Sequence, residues 1–135
     1  MRAFVDTSAL LALSHTRDQY HRRAGDTARR YRARGGRFLS STLVLGEFHS
    51  HLLYLRGPAA AREVLARLLS DDTHEWLAVS VDVVRNARDQ WLTRFVDLRV
   101  SLTDAVSFEL MSREKVTQAF AYDRHFEMAG FEILP

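Results

Sequence analysis

The sequence predicts an α/β fold built on a mainly parallel sheet. Three observations lead to this prediction. Short apolar runs alternate with longer helical patterns along the chain. Glycine and proline stand at several junctions between them. The length of 135 residues suits one domain with one core, so we expect residues 1–135 to form a single domain.

The first predicted strand lies at the amino terminus. Ala3–Val5 is a short buried run that ends at Asp6. Ser8–His15 then has the pattern of a helix. Gln19–Arg34 is typical of a polar, Arg-rich helix, and the Gly-Gly pair that follows it is a common stop signal.

A second strand is predicted at Arg37–Ser41, and two helices follow it. The first helix covers Thr42–Leu55 and stops before a Gly-Pro pair. The second covers Pro58–Leu69, because proline is favoured in the first turn of a helix.

The second half of the chain repeats this alternation. Trp76–Ser80 is predicted as a strand and Val81–Phe95 as a helix. Ser101–Arg113 is a further helix, and Gln118–Tyr122 and Phe131–Leu134 are the last two strands.

Composition excludes several kinds of site and location. The chain has no cysteine, so disulfides and thiolate metal sites are excluded, which fits a reducing cytosol. An acid at the sixth residue interrupts the first apolar run, so no signal peptide is predicted. Leu10–Leu13 is far shorter than the ~20 residues that span a bilayer. We therefore expect a cytoplasmic protein with no membrane contact.

Positive charge is concentrated in one segment. The net charge is only +2, yet residues 17–37 contain eight Arg and two Asp. The segment is either a solvated helix face or a surface that faces phosphates, because Arg binds phosphate with two hydrogen bonds. Arg22, Arg29 and Arg30 are the candidates of this segment for contact with a phosphate backbone.

Two acids directly follow predicted buried strands. Asp6 comes after Ala-Phe-Val and Asp123 after Ala-Phe-Ala-Tyr. Ligands bind at the carboxyl ends of strands in open parallel sheets, which favours a functional role for both acids. Each acid taken alone also fits a cap or a turn residue.

Glu47 lies at the edge of an apolar helix stripe. The stripe has the three- and four-residue spacing of one helix face, and Glu47 falls three residues after Val44 and five before Leu52. Removal of an unpaired charge from water costs several kcal/mol. Either a bound cation or an ion pair with an Arg would offset that cost.

Asp104 is placed in the first turn of a mostly apolar helix. The helix dipole favours an anion there, so capping alone could explain the residue. The apolar residues that follow it, from Ala105 to Met111, predict a buried helix whose acid emerges near the edge of the sheet.

The six histidines predict neither a zinc site nor a histidine-based ribonuclease. His49 and His51 are two apart on a helix and do not share a face. The other four histidines have no zinc-ligand spacing.

Four segments of the chain together carry the acids discussed above. They are FVDTSAL (4–10), Gly46-Glu47, SLTDAVSFELM (101–111) and AFAYDRHF (119–126). These segments resemble the successive motifs of PIN-domain nucleases, above all of the VapC-like ribonuclease toxins of toxin–antitoxin pairs. Their order and spacing match over nearly the whole chain, and the four together are far more specific than any one.

The resemblance implies a three-layer α/β/α sandwich with an acidic pocket that binds Mg²⁺ or Mn²⁺. Asp6, Glu47, Asp104 and Asp123 match the acidic quartet of the catalytic site, with Asp6 and Asp104 as the first choices for direct ligands. Ser8 matches a hydroxyl position that supports the first Asp. Ala121 departs from the family, which commonly has Thr or Ser there, and this leaves the placement of Asp123 open.

The implied function is a metal-dependent endoribonuclease that leaves a 5′-phosphate and a 3′-hydroxyl. Implied partners are an RNA substrate, a cognate antitoxin and a second copy of the chain in a homodimer. Two alternatives stay open: an RNA-processing nuclease without an antitoxin, and a non-catalytic PIN module that binds RNA through its arginines. A receiver domain is disfavoured, because Lys115 is the only lysine and precedes a strand.

Overall fold

The computed structural model describes residues 1–135 and contains one sheet of five parallel strands. The strands are β1 (Arg2–Val5), β2 (Arg37–Ser41), β3 (His74–Leu77), β4 (Gln118–Phe120) and β5 (Glu132–Ile133). Their order across the sheet is β3-β2-β1-β4-β5, and every pairing is parallel. The predicted α/β fold is confirmed, with a sheet that is parallel throughout.

Helices connect all of the strands, as parallel pairing requires. They are α1 (Thr7–Ser14), α2 (His21–Ala33), α3 (Thr42–Arg56), α4 (Pro58–Ser70), α5 (Val81–Asn86), α6 (Leu102–Glu114) and α7 (His125–Met128). A π-helical segment, Ala87–Leu92, continues α5. None of the helices is both long and apolar enough to cross a membrane.

Aromatic side chains pack helices onto both faces of the sheet. On one face, Tyr31 of α2 stacks on Phe38 of β2 with ring centroids 5.2 Å apart. On the other face, the Phe4 ring of β1 lies 6.4 Å from that of Phe126, which contacts Phe108 of α6. The register explains this division, because Phe4 pairs with Leu39 and so points away from the side of Phe38. The result is the three-layer α/β/α sandwich.

Local capping sets the helix starts near the acids. Ser41 Oγ accepts a hydrogen bond from the Val44 backbone at the start of α3, and Ser101 Oγ accepts one from Asp104 at the start of α6. Asp6 itself caps α1. At the carboxyl end of α2, Gly35 has a φ of 85°, a conformation that glycine adopts readily. This confirms that the Gly-Gly pair ends the helix, as predicted.

The structure differs from the prediction in the bounds of one strand, in the type of one helix and in the presence of one short helix. The third strand covers His74–Leu77 rather than Trp76–Ser80, because His74 is buried and hydrogen-bonds Ser40 of the neighbouring strand. The helix predicted over Val81–Phe95 is present and runs to residue 94, but Ala87–Leu92 within it is π-helical rather than α-helical. Helix α7 was not predicted, since it has only four residues.

Candidate active site

Asp6 lies at the carboxyl end of the central strand. Its side chain is almost fully buried, with 3% of its residue surface exposed. Asp6 Oδ2 accepts hydrogen bonds from the Ser8 backbone N–H at 3.2 Å and from Ser8 Oγ at 2.8 Å. The Asp6 backbone N–H donates to the Phe120 carbonyl oxygen at 3.0 Å, which ties the acid to β4.

Ser8 joins the ends of two neighbouring strands. Its hydroxyl donates to Asp6 and accepts a hydrogen bond from the Tyr122 backbone N–H at 3.0 Å. Tyr122 immediately precedes Asp123, so the hydroxyl fixes the chain that carries the last acid. Ala121 has no hydroxyl, but the hydrogen bond from Tyr122 to Ser8 still holds this segment in place.

Asp104 enters the same region from the opposite side, on the first turn of α6. It is buried, with 7% exposure. Its backbone is fixed by the Ser101 cap, and its Oδ2 lies 3.2 Å from His125 Nδ1.

Asp123 and His125 form a turn directly after β4. Asp123 Oδ1 accepts a hydrogen bond from the His125 backbone N–H at 2.9 Å and lies 3.3 Å from His125 Nδ1. One potential ligand atom from each of Asp104, Asp123 and His125 lies within 4.8 Å of the others. His125 was missed in the sequence because zinc spacing is the wrong test for it. The Asp-x-His pattern after a strand, which suits an Asx turn, was the available signal.

Glu47 of α3 is half-buried and lines the same cleft as the other three acids. It forms no salt bridge with an Arg or a Lys, so the ion-pair explanation for its position fails. The cleft is open and has a volume of about 350 Å³. It is lined by Asp6, Thr7, Ser8, Leu11, Glu47, His51, Arg99, Ser101, Asp104, Asp123 and His125.

The buried acids repel one another. The pKa of Asp6 is raised to about 7, chiefly by burial; the hydrogen bond from Ser8 opposes the rise and the negative charge of Asp104 contributes to it. Burial also raises the pKa of Asp104, with Asp123 adding to the rise and His125 opposing it. No Arg or Lys forms a salt bridge with any of the four acids. A bound cation would relieve this repulsion.

The donor set fits a divalent metal ion. Asp104, Asp123 and His125 supply two carboxylates and an imidazole, and Asp6 and Glu47 add carboxylates in the same cleft. The Thr7 hydroxyl, which belongs to another residue of the cleft, is buried without any hydrogen-bond partner. A buried polar atom without a partner is unfavourable.

The predicted RNA-binding arginines lie outside the cleft. Arg22, Arg29 and Arg30 are exposed on α2. Arg29 pairs with Asp26, and Arg30 donates to the Pro135 carbonyl oxygen at 3.1 Å. The arginine that does line the cleft is Arg99, which precedes the cap of α6 by two residues and was not singled out in the sequence.

Comparisons with known proteins agree with this geometry. Residues 3–132 match the PIN domain family. The chain is 33% identical over 133 residues, 98% of each protein, to a 23S rRNA-specific endonuclease, VapC20, of Mycobacterium tuberculosis.

Solved structures give the same result. The crystal structure of Mycobacterium tuberculosis VapC20, described as a Sarcin-Ricin loop cleaving toxin, superposes with a TM-score of 0.82 at 32% identity, covering 96% of this chain and 95% of the other. VapBC2 from Rickettsia felis, bound to a DNA fragment from its promoter, superposes with a TM-score of 0.72 over 98% of this chain and 97% of the other. At 12% identity, that second likeness concerns the fold alone. The chain therefore belongs to the PIN-domain family, among its VapC-like endonucleases.

Proposed function

We propose that this chain is a divalent-metal-dependent endoribonuclease that cuts ribosomal RNA as the toxin of a toxin–antitoxin pair. The observation that carries the proposal is the meeting of Asp6, Glu47, Asp104 and Asp123 in one cleft, without an Arg or Lys partner. Ribosomal RNA is the substrate class because the 33% identical relative is a 23S rRNA-specific endonuclease. The sarcin–ricin loop is the first RNA to test, since the similar crystal structure is of a toxin that cleaves it.

Asp104, Asp123 and His125 would hold the metal ion, with Asp6 completing the set. Mg²⁺ or Mn²⁺ is proposed because carboxylate oxygens dominate the cleft, and the His125 nitrogen favours Mn²⁺ of the two. Such an ion lowers the pKa of a bound water and neutralises charge on the phosphate.

The remaining residues position the reactants. Ser8 holds Asp6 in one orientation, and Glu47 is assigned to orient the attacking water. Hydrolysis forms a bond from the water oxygen to phosphorus and breaks the bond to the 3′ oxygen. The products are a 5′-phosphate and a 3′-hydroxyl. Arg99 would contact the phosphate backbone at the cleft, and Arg22, Arg29 and Arg30 would bind RNA farther from it.

The proposal also covers the domain, the oligomer and the inhibitor of the nuclease. Residues 1–135 act as one nuclease domain, and the working form is a homodimer that a cognate antitoxin inhibits. The likeness to the VapC20 toxin supports such a partner. A ribosomal substrate places the activity in the cytoplasm.

Incubation of the purified, antitoxin-free protein with ribosomal RNA tests the proposal. We expect cleavage with Mg²⁺ or Mn²⁺, none with EDTA, and mapped ends with a 5′-phosphate. Asp6→Asn should abolish cleavage, whereas Asp72→Asn, the same change at an exposed site, should not. Cleavage that persists in EDTA contradicts the metal-dependent mechanism. Retained RNA binding without cleavage by the wild-type protein supports the non-catalytic module instead.

A further inference from the structure

A second cavity adjoins the acidic cleft. It has a volume of about 230 Å³, and Asp123 lines both the cavity and the cleft. The other side chains that matter here are Tyr20, Arg23, Tyr122, Arg124 and Glu127. The two spaces therefore lie on either side of a candidate metal ligand, so an RNA strand in the cleft would place a neighbouring nucleotide close to this cavity.

Two tyrosines form an aromatic wall of the cavity. The Tyr20 and Tyr122 rings are stacked, with centroids 4.3 Å apart and an interplanar angle of 2°. The guanidinium group of Arg23 lies 5.6 Å from the centroid of the Tyr122 ring. Paired aromatic rings beside an Arg are the chemistry with which proteins hold unstacked bases.

The wall is rigidly connected to the acidic cleft. The Tyr122 backbone N–H donates to Ser8 Oγ, and the same hydroxyl donates to Asp6. Tyr122 also precedes Asp123 directly. Any base held against these rings would consequently lie at a fixed distance from the acids.

The charged groups of the cavity are free to meet a ligand. Arg23 and Arg124 are exposed and form no salt bridge. Glu127, which is also exposed, is a hydrogen-bond acceptor on the same cavity. Arginines suit a phosphate, and a carboxylate suits the amino group of a base.

We propose that this cavity, the Tyr20–Tyr122 cavity, binds the base of one nucleotide next to the scissile phosphate and so contributes to the choice of cleavage site. The inference rests on the proposed function, because it assumes that RNA is cut in the adjoining cleft. A peptide of the antitoxin is the competing occupant.

The test combines protein variants with single abasic substitutions in the RNA. The probe is a sarcin–ricin stem-loop RNA, intact or with one abasic nucleotide at each of the three positions on either side of the cleavage site. The variants are Tyr20→Leu and Arg23→Gln, with Tyr20→Phe as the conservative replacement. Matched controls are Tyr54→Leu and Arg62→Gln, at exposed positions on α3 and α4.

We expect Tyr20→Leu to lower kcat/KM on intact RNA about tenfold, which is the scale of one base–aromatic contact. Tyr20→Phe and the control variants should retain wild-type values. One abasic RNA should be cut equally by wild type and Tyr20→Leu, because the base that Tyr20 contacts is then missing. An equal loss on every abasic RNA, or no loss on intact RNA, overturns the inference.

Binding of the same RNA series to Asp104→Asn, with and without Tyr20→Leu, separates this inference from the proposed function. If Tyr20→Leu lowers the affinity for every RNA except one with a single abasic position, base binding by the cavity is supported, even if the wild-type protein does not cut this RNA. If the wild type cuts the RNA but Tyr20→Leu has the same effect on every RNA of the series, the nuclease proposal stands and base binding by the cavity is rejected. Loss of antitoxin binding without loss of RNA affinity assigns the cavity to the antitoxin and overturns the inference.

Discussion

Ser8 Oγ lies 2.8 Å from Asp6 Oδ2 and donates a hydrogen bond to it. The same oxygen accepts the Tyr122 backbone N–H, so one hydroxyl orients the first acid and anchors the segment of the last. The Ser8 backbone N–H adds a second bond to the same Asp6 oxygen. Both bonds stabilise the ionised carboxylate, against the burial that raises its pKa.

Ser8→Ala tests this positioning role. A hydrogen bond to a charged group is worth about 1.5–3 kcal/mol, so we expect kcat to fall roughly 10- to 100-fold. The KM for RNA should change little, because Ser8 is not proposed to contact RNA. Ser112→Ala, an exposed serine of α6, is the matched control in the steady-state assay. An increase in KM at constant kcat would instead assign Ser8 to substrate binding.

Much of the acidic cleft could be predicted from the sequence, but for unequal reasons. Asp6 and Asp123 are recognisable because an apolar run stops at each of them. That β1 and β4 are neighbours depends on the order of the sheet, which helical crossovers set over more than a hundred residues. The four motifs supplied that relation through the family resemblance. Local pattern alone does not contain it.

The misses have local physical causes. His125 reaches the acids only because the backbone turns at Asp123, and no periodic pattern reports such a turn. His74 begins β3 because its buried ring bonds Ser40 and stacks on Trp76, contacts that depend on the neighbouring strand and not on the local pattern. Arg99 lies in a segment before α6 whose path follows from tertiary packing.

Asp6→Asn should stabilise the metal-free protein at high pH. The folded pKa of Asp6 is raised from 3.8 to about 7 by burial, so its contribution to stability is complete below pH 3.8 and is lost as pH rises through about 7. Asparagine keeps the helix cap without the charge. We expect a gain in the free energy of unfolding of roughly 2–4 kcal/mol at pH 8 and little at pH 4.

Urea denaturation of both proteins in EDTA measures this difference. Comparison of wild type with variant at each pH cancels the titration of all other groups. Addition of Mn²⁺ should stabilise wild type more than Asp6→Asn, because the ion compensates the buried charge. If the variant is less stable than wild type at pH 8, the buried charge of Asp6 does not destabilise the folded protein.

His74 should make the protein acid-sensitive. Burial lowers the pKa of His74 from 6.5 to about 4, with Arg32 adding to the fall and Asp71 opposing it. The stabilising effect of the neutral ring is therefore present above pH 6.5 and is lost as pH falls through about 4. His74→Gln should remove up to about 3 kcal/mol of this pH dependence between pH 7 and 4. Urea denaturation of wild type and variant at each pH measures the difference, and an unchanged pH dependence of the unfolding free energy would show that the buried ring does not control it.

Arg99→Gln should weaken RNA binding through charge. Arg99 is the only Arg or Lys that lines the cleft, and it is exposed. Loss of one phosphate contact should reduce the slope of log affinity against log salt concentration by about one. Fluorescence titration with an RNA stem-loop at several salt concentrations measures the slope. Arg62→Gln, on α4 and outside the cleft, should keep the wild-type slope, and an unchanged slope for Arg99→Gln would remove Arg99 from the RNA interface.

His125→Ala should change which metal ion the cleft prefers. His125 Nδ1 lies 3.2 Å from Asp104 Oδ2 and 3.3 Å from Asp123 Oδ1, in the position of a third ligand. Its loss leaves only oxygen ligands, which favours Mg²⁺ relative to Mn²⁺. We expect the dissociation constant for Mn²⁺, measured by calorimetry, to rise about tenfold or more and that for Mg²⁺ to change less. His49→Ala, a half-buried histidine that does not line the cleft, serves as the control. Equal losses for the two ions would show that His125 only orients Asp104 and Asp123 and does not bind the metal.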